Sequence, residues 1–521
     1  MDELTAVAET IADVLVIGGG PAAAWAALSA AEAGARVVLV DKGYLGTSGA
    51  TAPANTGTWC VPPDEDRQEA AQRRAARCFD LADPAWAVRT LERAWERLGD
   101  LAAWGYPFPF DEHGTRYVAN LRGPDYMHFM RRRLVRSGIP ILDHHPALEL
   151  LAEDGAVAGA AGIDRQRARS WRVRAGAVVL ATGGCAFGER ILGASGLTGD
   201  GYLMAAEAGG VLSGMELCAQ YNFTPQNSSL DKGMPFAWAT FTRENGTVID
   251  APNGDRHVAL AQALLEGPVF ALYDQASPQL ARWLRDGQPN CFLPFDRAGI
   301  DPFRERFPVT LRCEGTVRGV GGIRLASDDC ATDVPGLYAA GDAASRERLT
   351  GAITGGGGPN ASWAIASGSW AGRAAAAFAA AIGARHAMRK CVALGRAGLR
   401  PANGALVEAP VAEAVAAVRA ELLPLERNFF RCATTLRASL FQLDANWDAL
   451  RDHAYGTGIS ALRAREAAAL TATGRWAYRT ALHRRESRGM HRRLDAPELD
   501  RRFAHRLEAR GLDIISVTAA S

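Results

Sequence analysis

Gly18, Gly20 and Ala23 stand at the three small positions of a G-x-G-x-x-G/A turn, and Asp41 follows about twenty residues on. Each position has its own physical task. Gly18 permits the tight turn, Gly20 lets the backbone approach a pyrophosphate, and Ala23 lets a helix pack closely on a strand. A helix starting there offers free N–H groups and the positive end of its dipole to phosphate charge. Asp41 can accept hydrogen bonds from the two hydroxyls of a ribose. The chemistry is the binding of a dinucleotide, either NAD or FAD. A second cluster, TGGGGPNASWAIASGSWAGR from Thr354 to Arg373, leads into small residues at helical spacing. Two such junctions suit the two ends of one elongated ligand.

These residues need a strand before and a helix after them. Asp13 to Ile17 predicts a buried strand, Pro21 to Ala33 an alanine-rich helix closed by Gly34, and Ala35 to Gly43 a second strand ending in an acid. Together they make a βαβ unit. Helical periodicity runs from about Glu65 to Trp104, with Leu91, Trp95, Leu98, Leu101 and Ala102 on one side. His145 to Ile163 predicts two strands joined at the Asp154-Gly155 turn, and Arg172 to Gly184 a strand entering a glycine turn. From about Asn222 to Arg312, prolines and aromatics dominate and periodicity weakens, which predicts an inserted domain. Strand and turn return at Gly336 to Ser345. After about Pro401 the chain reads as helical and rich in Ala, Leu and Arg to near its end.

A chain of 521 residues predicts roughly three structural units. The formal net charge of +1 gives no global attraction to nucleic acid or to an anionic membrane. Nine cysteines, at 60, 78, 185, 218, 291, 313, 330, 391 and 432, include no CxxC pair. That argues against an iron–sulfur cluster, a c-type haem or a disulfide framework in this chain, and for a reducing, cytoplasmic compartment. The acidic start lacks the basic region of a signal peptide, and no run of about eighteen apolar residues predicts a membrane span. No metal site is expected.

The segments VVLATGG (Val178–Gly184) and GLYAAGDAA (Gly336–Ala344) recur in FAD-dependent oxidoreductases. The whole chain resembles the flavoprotein subunit family of succinate dehydrogenase and fumarate reductase, which includes L-aspartate oxidase and the adenylylsulfate reductase alpha subunit. TGDGYLMAAEAGG (Thr198–Gly210), MELCAQ (Met215–Gln220), the block from Gly319 to Ser345 and RRESRGMHRRLDAPELD (Arg484–Asp500) carry the resemblance, in family order from about residue 12 to 500. The resemblance implies an α/β fold: a Rossmann-like FAD-binding domain (GR2-type flavoprotein) with an inserted α+β capping domain and a C-terminal helical domain. The FAD-binding domain would occupy 12–221 and 313–390, the cap 222–312 and the helical domain 400–521. It also implies cofactor contacts at Gly18, Gly20, Pro21, Ala23, Asp41, Lys42, Thr47, Ser48, Gly49, Ala181, Thr182, Gly183, Asp200, Gly341, Asp342, Gly358, Asn360 and Ala361. The second glycine loop would serve the isoalloxazine, with the helix after Gly358–Pro359 aimed at the flavin N1–C2 region.

The departures from the family bear on substrate. Some relatives link FAD through a His in the segment that here reads GTSGATAPAN, with Gly49 about where that His would stand. Glycine has no nucleophile, so non-covalent FAD is expected. The dicarboxylate enzymes carry a His where Asn222 stands, another where Val317 and Arg318 stand, and an Arg in the segment remade here as RERLTGAITGGGGPNASW. Removing donors that bind a charged group costs much affinity. Succinate and fumarate are therefore not the expected substrates. Arg243, with Glu244 beside it, is the leading catalytic candidate and Arg318 the next. Tyr221, Asn222 and Trp238 are candidates for substrate contact. Arg488 and His491 are expected to pin the C-terminal helices to the flavin domain rather than to catalyse.

The expected function is hydride transfer between flavin N5 and a small anionic substrate. Its partner would be a ferredoxin-like iron–sulfur protein or another electron carrier. Two readings compete: an adenylylsulfate-reductase-like flavoprotein working with an iron–sulfur partner, and a flavoprotein scaffold whose active site has decayed.

Overall fold

Strand β1 (Ala8–Ile17) runs into the first glycine turn, helix α1 (Pro21–Glu32) leaves it, and β2 (Val37–Val40) returns parallel to β1. The structure, a computed structural model, describes residues 8–110, 116–231, 233–251, 254–402 and 411–520. The βαβ reading holds, and β1 begins earlier than the sequence predicted. On its other side β1 pairs in parallel with β3 (Arg169–Leu180). The length of β3 lets it serve two further neighbours. Arg169 to Arg174 pair with the antiparallel strand Ala156–Asp164, and Val178 to Leu180 with the parallel strand β4 (Leu337–Ala339). The predicted hairpin at Asp154-Gly155 closes the antiparallel side of this eight-stranded sheet.

Helix α1 is buried on every side from Ala22 to Ala30, which explains its alanines. Its outer face is covered by α2 (Gly358–Ile382), the helix that follows the second glycine cluster. A Cβ at Gly368 would run into the Ala22 carbonyl, and one at Gly372 into the Ala26 carbonyl. The small residues of GSWAG therefore let two helix backbones cross closely.

Between Tyr221 and Cys313 the chain builds a separate four-stranded antiparallel sheet, in the order Tyr221–Pro225, Phe307–Cys313, Val269–Leu272, Thr240–Arg243. Phe236, Phe241, Tyr273, Phe295 and Phe307 form its aromatic core. A core made by few large rings needs little periodicity, which accounts for the irregular pattern of this segment. Helices α3 (Ala433–His453) and α4 (Ile459–His483) pack together after it. The chain then departs from the helical reading. Leu507–Arg510 and Ser516–Ala519 form strands that join Leu212–Ser213 and Gly322–Ile323 in a third sheet.

The C-terminal signature is a buried electrostatic stitch. Arg484 Nε lies 2.9 Å from Glu216 Oε1, and Arg484 Nη1 lies 3.0 Å from Glu486 Oε1. Arg431 donates to the Glu216 carbonyl at 2.7 Å and to His491 Nδ1 at 2.9 Å, while His491 Nε2 lies 3.1 Å from the Arg484 carbonyl. Burial first, and then the arginines around it, hold the His491 imidazole neutral. The structural role expected for Arg488 and His491 fits this packing.

Candidate active site

The ends of β1, β3 and β4 open onto one cavity of about 360 Å³, beneath the N-termini of α1 and α2. This is where a parallel sheet offers a ligand its crevice. Gly18 has φ +134°, and a Cβ there would run into the Ala181 carbonyl at the end of β3. Gly20 is different. It has φ −84°, and a Cβ would meet no protein atom within 4 Å, so the space beside it faces the cavity.

Of the residues expected to hold the cofactor, all but Ala23, Thr47 and Gly358 line this cavity. Ala23 is buried in the α1 packing, the Thr47 hydroxyl bonds back to the Tyr44 carbonyl, and Gly358 is the first residue of α2, with Gly356 and Gly357 in the wall instead. The residues present suit an FAD. Neither helix N-terminus carries a side-chain cap, so both keep free N–H groups. The buried Thr182 Oγ1 and Asn360 Oδ1 line the cavity without a hydrogen-bond partner. Buried polar atoms of this kind call for a ligand or water to satisfy them.

Asp41 accepts a hydrogen bond from Ser48 Oγ at 2.6 Å, and burial raises its carboxyl above the usual range. Lys42 Nζ lies 2.8 Å from Asp200 Oδ2, 2.7 Å from Glu466 Oε1 and 3.0 Å from Thr198 Oγ1. Burial favours the neutral amine, but the two carboxylates outweigh it and hold Lys42 charged above the ordinary lysine range. Glu466 comes from α4, and no sequence signal marks it, because its neighbours in the chain are ordinary helix residues.

Three cations line the cavity: Lys42, Arg165 and Arg318. Lys42 is neutralised as described, and Arg165 donates to the Lys42 carbonyl at 3.0 Å. Arg318 stands in the short turn Gly315–Arg318, with Nε 3.3 Å from Oε2 of the fully buried Glu314. The Glu314 charge, acting against burial, raises the guanidinium further above its ordinary value. Asn222 Nδ2 also donates to Glu314, which brings this predicted residue into the same cluster.

Arg346, which sequence reasoning passed over, holds the turn in place. Its guanidinium donates to the carbonyls of Thr316 at 3.1 Å, Val317 at 3.2 Å and Gly319, and it pairs with Asp342. Burial raises the Asp342 carboxyl, while Arg346 and Arg318 pull it down. The serine and arginine after the GDAA turn were the only sequence hint, and surface arginines share it.

Arg243 does not come to this cavity. It ends the edge strand Thr240–Arg243, its side chain is 39% exposed, and it pairs with Glu266 at 2.7 Å, not with Glu244. Tyr221 is buried, stacks edge-on against Phe429 and donates to the Leu423 carbonyl at 2.9 Å. Trp238 packs against the aromatic core of the inserted sheet. Neither lines the cavity. The sequence showed these aromatic and charged residues as available, but only packing decided which ones face a ligand.

The FAD binding domain family model matches residues 13–263. A CoM/CoB fumarate reductase chain of Methanothermobacter marburgensis is 28% identical over 235 residues, 41% of this chain and 42% of that protein, so the match spans less than half of that relative. The L-aspartate oxidase of Mycobacterium tuberculosis is 27% identical over 552 aligned positions, covering 96% of each chain. The solved structure of Escherichia coli quinol fumarate reductase FrdA shares the fold, with a TM-score of 0.81 at 22% identity over 99% of this chain and 97% of that one. With the two-loop cavity and its unsatisfied polar groups, these likenesses show a flavoprotein with an FAD binding domain, similar to the fumarate reductase flavoproteins and the L-aspartate oxidases.

Proposed function

We propose that this flavoprotein moves hydride between flavin N5 and a carbon of a small anionic substrate other than succinate or fumarate, with Arg318 as the cation that receives the substrate. The observation that carries the reading is Arg318 in the wall of the cavity, paired with the buried Glu314 behind it. Bound FAD supplies the hydride donor or acceptor. The chain supplies orientation and charge. Arg318 stays protonated beside Glu314, so it anchors the substrate anion and offsets charge that develops on it, rather than giving up its own proton. No histidine is among the described residues that line the cavity, which supports a substrate other than the C4 dicarboxylates.

FAD is held without a covalent link in this reading. Gly49 lines the cavity with φ +80°, and a Cβ there would meet no protein atom within 4 Å. The nine cysteines lack a CxxC pair, so electrons are assigned to a separate carrier, such as a ferredoxin-like iron–sulfur protein, in a reducing, cytoplasmic compartment.

The test has two steps. The visible spectrum of the purified protein is recorded, then that of the supernatant after acid precipitation. A flavin band that moves to the supernatant supports non-covalent FAD; one that stays in the pellet overturns it. The holoprotein is then screened for bleaching by small carboxylates and by sulfite, with Arg318→Gln alongside. Bleaching by a carboxylate that is lost in Arg318→Gln supports the proposal. Bleaching by sulfite alone would place the chemistry at sulfur.

A further inference from the structure

The helix Gly123–Arg136 carries Arg132, Arg133 and Arg136 near its end, and they line one open groove of about 490 Å³ with Trp104, His128 and Phe129. Arg131, the residue before them, is engaged elsewhere. It lies 2.7 Å from Asp143 and donates to the Leu45 carbonyl at 2.9 Å. Among the described residues, none of Arg132, Arg133 and Arg136 makes an ion pair. Asp125, the one carboxylate among the described residues of the wall, lies 3.5 Å from Arg122 Nε.

This arrangement works against the helix. Arg133 and Arg136 belong to the last turn, where the helix dipole favours cations. Arg132 stands before that turn and four residues from Arg136, a spacing at which like charges repel. Both Arg132 and Arg136 are exposed. The whole chain carries a formal charge of +1, so the excess here is local.

The floor of the groove is set before anything binds. The Arg133 guanidinium lies over the Trp104 ring, 4.2 Å from its centroid, and Trp104 stacks on the buried Trp25 at 5.6 Å. Trp25 Nε1 in turn donates to the Tyr126 hydroxyl at 2.7 Å. A fixed floor lowers the ordering cost of association. Tryptophan and arginine together are the residues that anchor protein interfaces.

The same helix joins the groove to the cofactor cavity. At its start, Gly123 N donates to the Ala54 carbonyl at 2.8 Å, and a Cβ there would run into the Thr51 and Ala54 carbonyls. Thr51 and Ala54 line the cofactor cavity. The groove begins at Asp125, about 3 Å further along the helix axis.

We propose that this groove is the docking surface for an acidic electron-carrier protein, which seats its carboxylates on Arg132 and Arg136 and exchanges electrons with the flavin. The proposal rests on the reading that electrons pass through a separate carrier. An acidic surface supplies the counter-charges that the helix lacks, and it steers the encounter at low salt.

The test uses the holoprotein and a reduced acidic [2Fe–2S] ferredoxin as probe, with flavin bleaching followed by stopped flow. Each ferredoxin gives one electron, so two are oxidised for every FAD reduced, with the protons coming from water. The second-order rate constant should fall at least about tenfold between about 20 mM and about 300 mM NaCl. Arg132→Glu should lower it at least about tenfold at low salt, while dithionite reduces the flavin at the wild-type rate. Arg136→Glu should repeat the slowing. Arg132→Glu should also hold or slightly raise Tm, because the new carboxylate stands four residues before Arg136. Arg304→Glu makes the same charge change at an exposed arginine of the inserted segment and should leave the rate unchanged. A wild-type rate in Arg132→Glu overturns the docking surface and leaves the separate carrier standing. Equal slowing in Arg304→Glu shows a general charge effect and overturns the surface as well. So does a fall in Tm with Arg132→Glu, since the slowing would then report damage to the helix. A short DNA duplex that displaces the ferredoxin would make this a nucleic-acid surface instead. Reduction of the wild type by dithionite but not by ferredoxin overturns the carrier reading and the surface together.

Discussion

Gly18 and Gly20 belong to one motif yet answer to different forces. Gly18 is required by the protein, since its φ of +134° and the Ala181 carbonyl leave no room for a side chain. Gly20 is not required by the protein's own packing, because its open side faces the cavity, so the proposed cofactor is what would demand a glycine there. Gly20→Val should therefore fold with unchanged secondary structure by circular dichroism but purify without the flavin band. Gly18→Val should lose soluble protein. A Gly20→Val protein carrying a full complement of flavin would remove the first loop from the cofactor. The two arginine candidates separate in the same way. Arg318→Gln should keep FAD and lose turnover by at least about a hundredfold, as expected when a preorganised charge is removed. Arg243→Gln should leave turnover unchanged, since that side chain spends its charge on Glu266 at the surface.

Glu347 gives a pH signature at the same scale. Burial beside Glu216 raises it from the usual 4.5 to about 7. The folded protein then holds a proton that the unfolded chain has released, so this group destabilises folding progressively as pH rises from 4.5 to 7. Below pH 4.5 it has no effect. Glu347→Gln should match the wild type in Tm at pH 4.5 and exceed it at pH 8. The difference corresponds to about 3 kcal/mol at most. An equal Tm at both pH values would mean that Glu347 keeps an ordinary carboxylate.

Among the elements, the second glycine cluster divides into two parts with different work. Gly356, Gly357, Asn360 and Ala361 face the cofactor cavity. Gly368 and Gly372 instead let α2 cross α1, which keeps the N-terminus of each helix at the rim of the same cavity. Gly372→Val should thus act on the helix crossing. Its added atoms have backbone on the far side and nowhere to go, so a cost of about 3 kcal/mol or more is expected. Chemical denaturation measures it; a loss under about 1 kcal/mol would mean that the crossing can widen freely.

Across the whole molecule, the C-terminal signature joins segments far apart in the chain. Arg484 and Glu216 are both fully buried and paired at 2.9 Å. Breaking such a pair from one side leaves a buried charge alone, which costs about 3–5 kcal/mol. Arg484→Met should lower stability by that order while the flavin band keeps its shape, because neither residue lines the cofactor cavity. A changed flavin spectrum with unchanged stability would instead give the signature a part in the site.

Much of this molecule could be read from its sequence. The βαβ unit with its glycine turn, the inserted aromatic segment and the glycine-rich segments that line the cavity were legible because their signals are local. A turn needs glycine, a buried strand needs an apolar run, and both follow from a few neighbouring residues. The choice among arginines was not legible. Arg243 and Arg318 carry the same group, and their difference lies in the company each keeps after folding: Glu266 at an exposed edge, or Glu314 inside a wall. Glu466 reaching Lys42, Arg346 clamping the Arg318 turn and the last two strands returning to the third sheet were equally hidden. The amino-acid sequence by itself determined the fold class and a dinucleotide cofactor, which the family resemblance narrowed to FAD, since close backbone approach to a dinucleotide demands particular residues at particular spacings. Only the tertiary structure decided which charges meet in the cavity, because electrostatic partners are chosen by distance in space and by burial, and neither is written in the order of the chain.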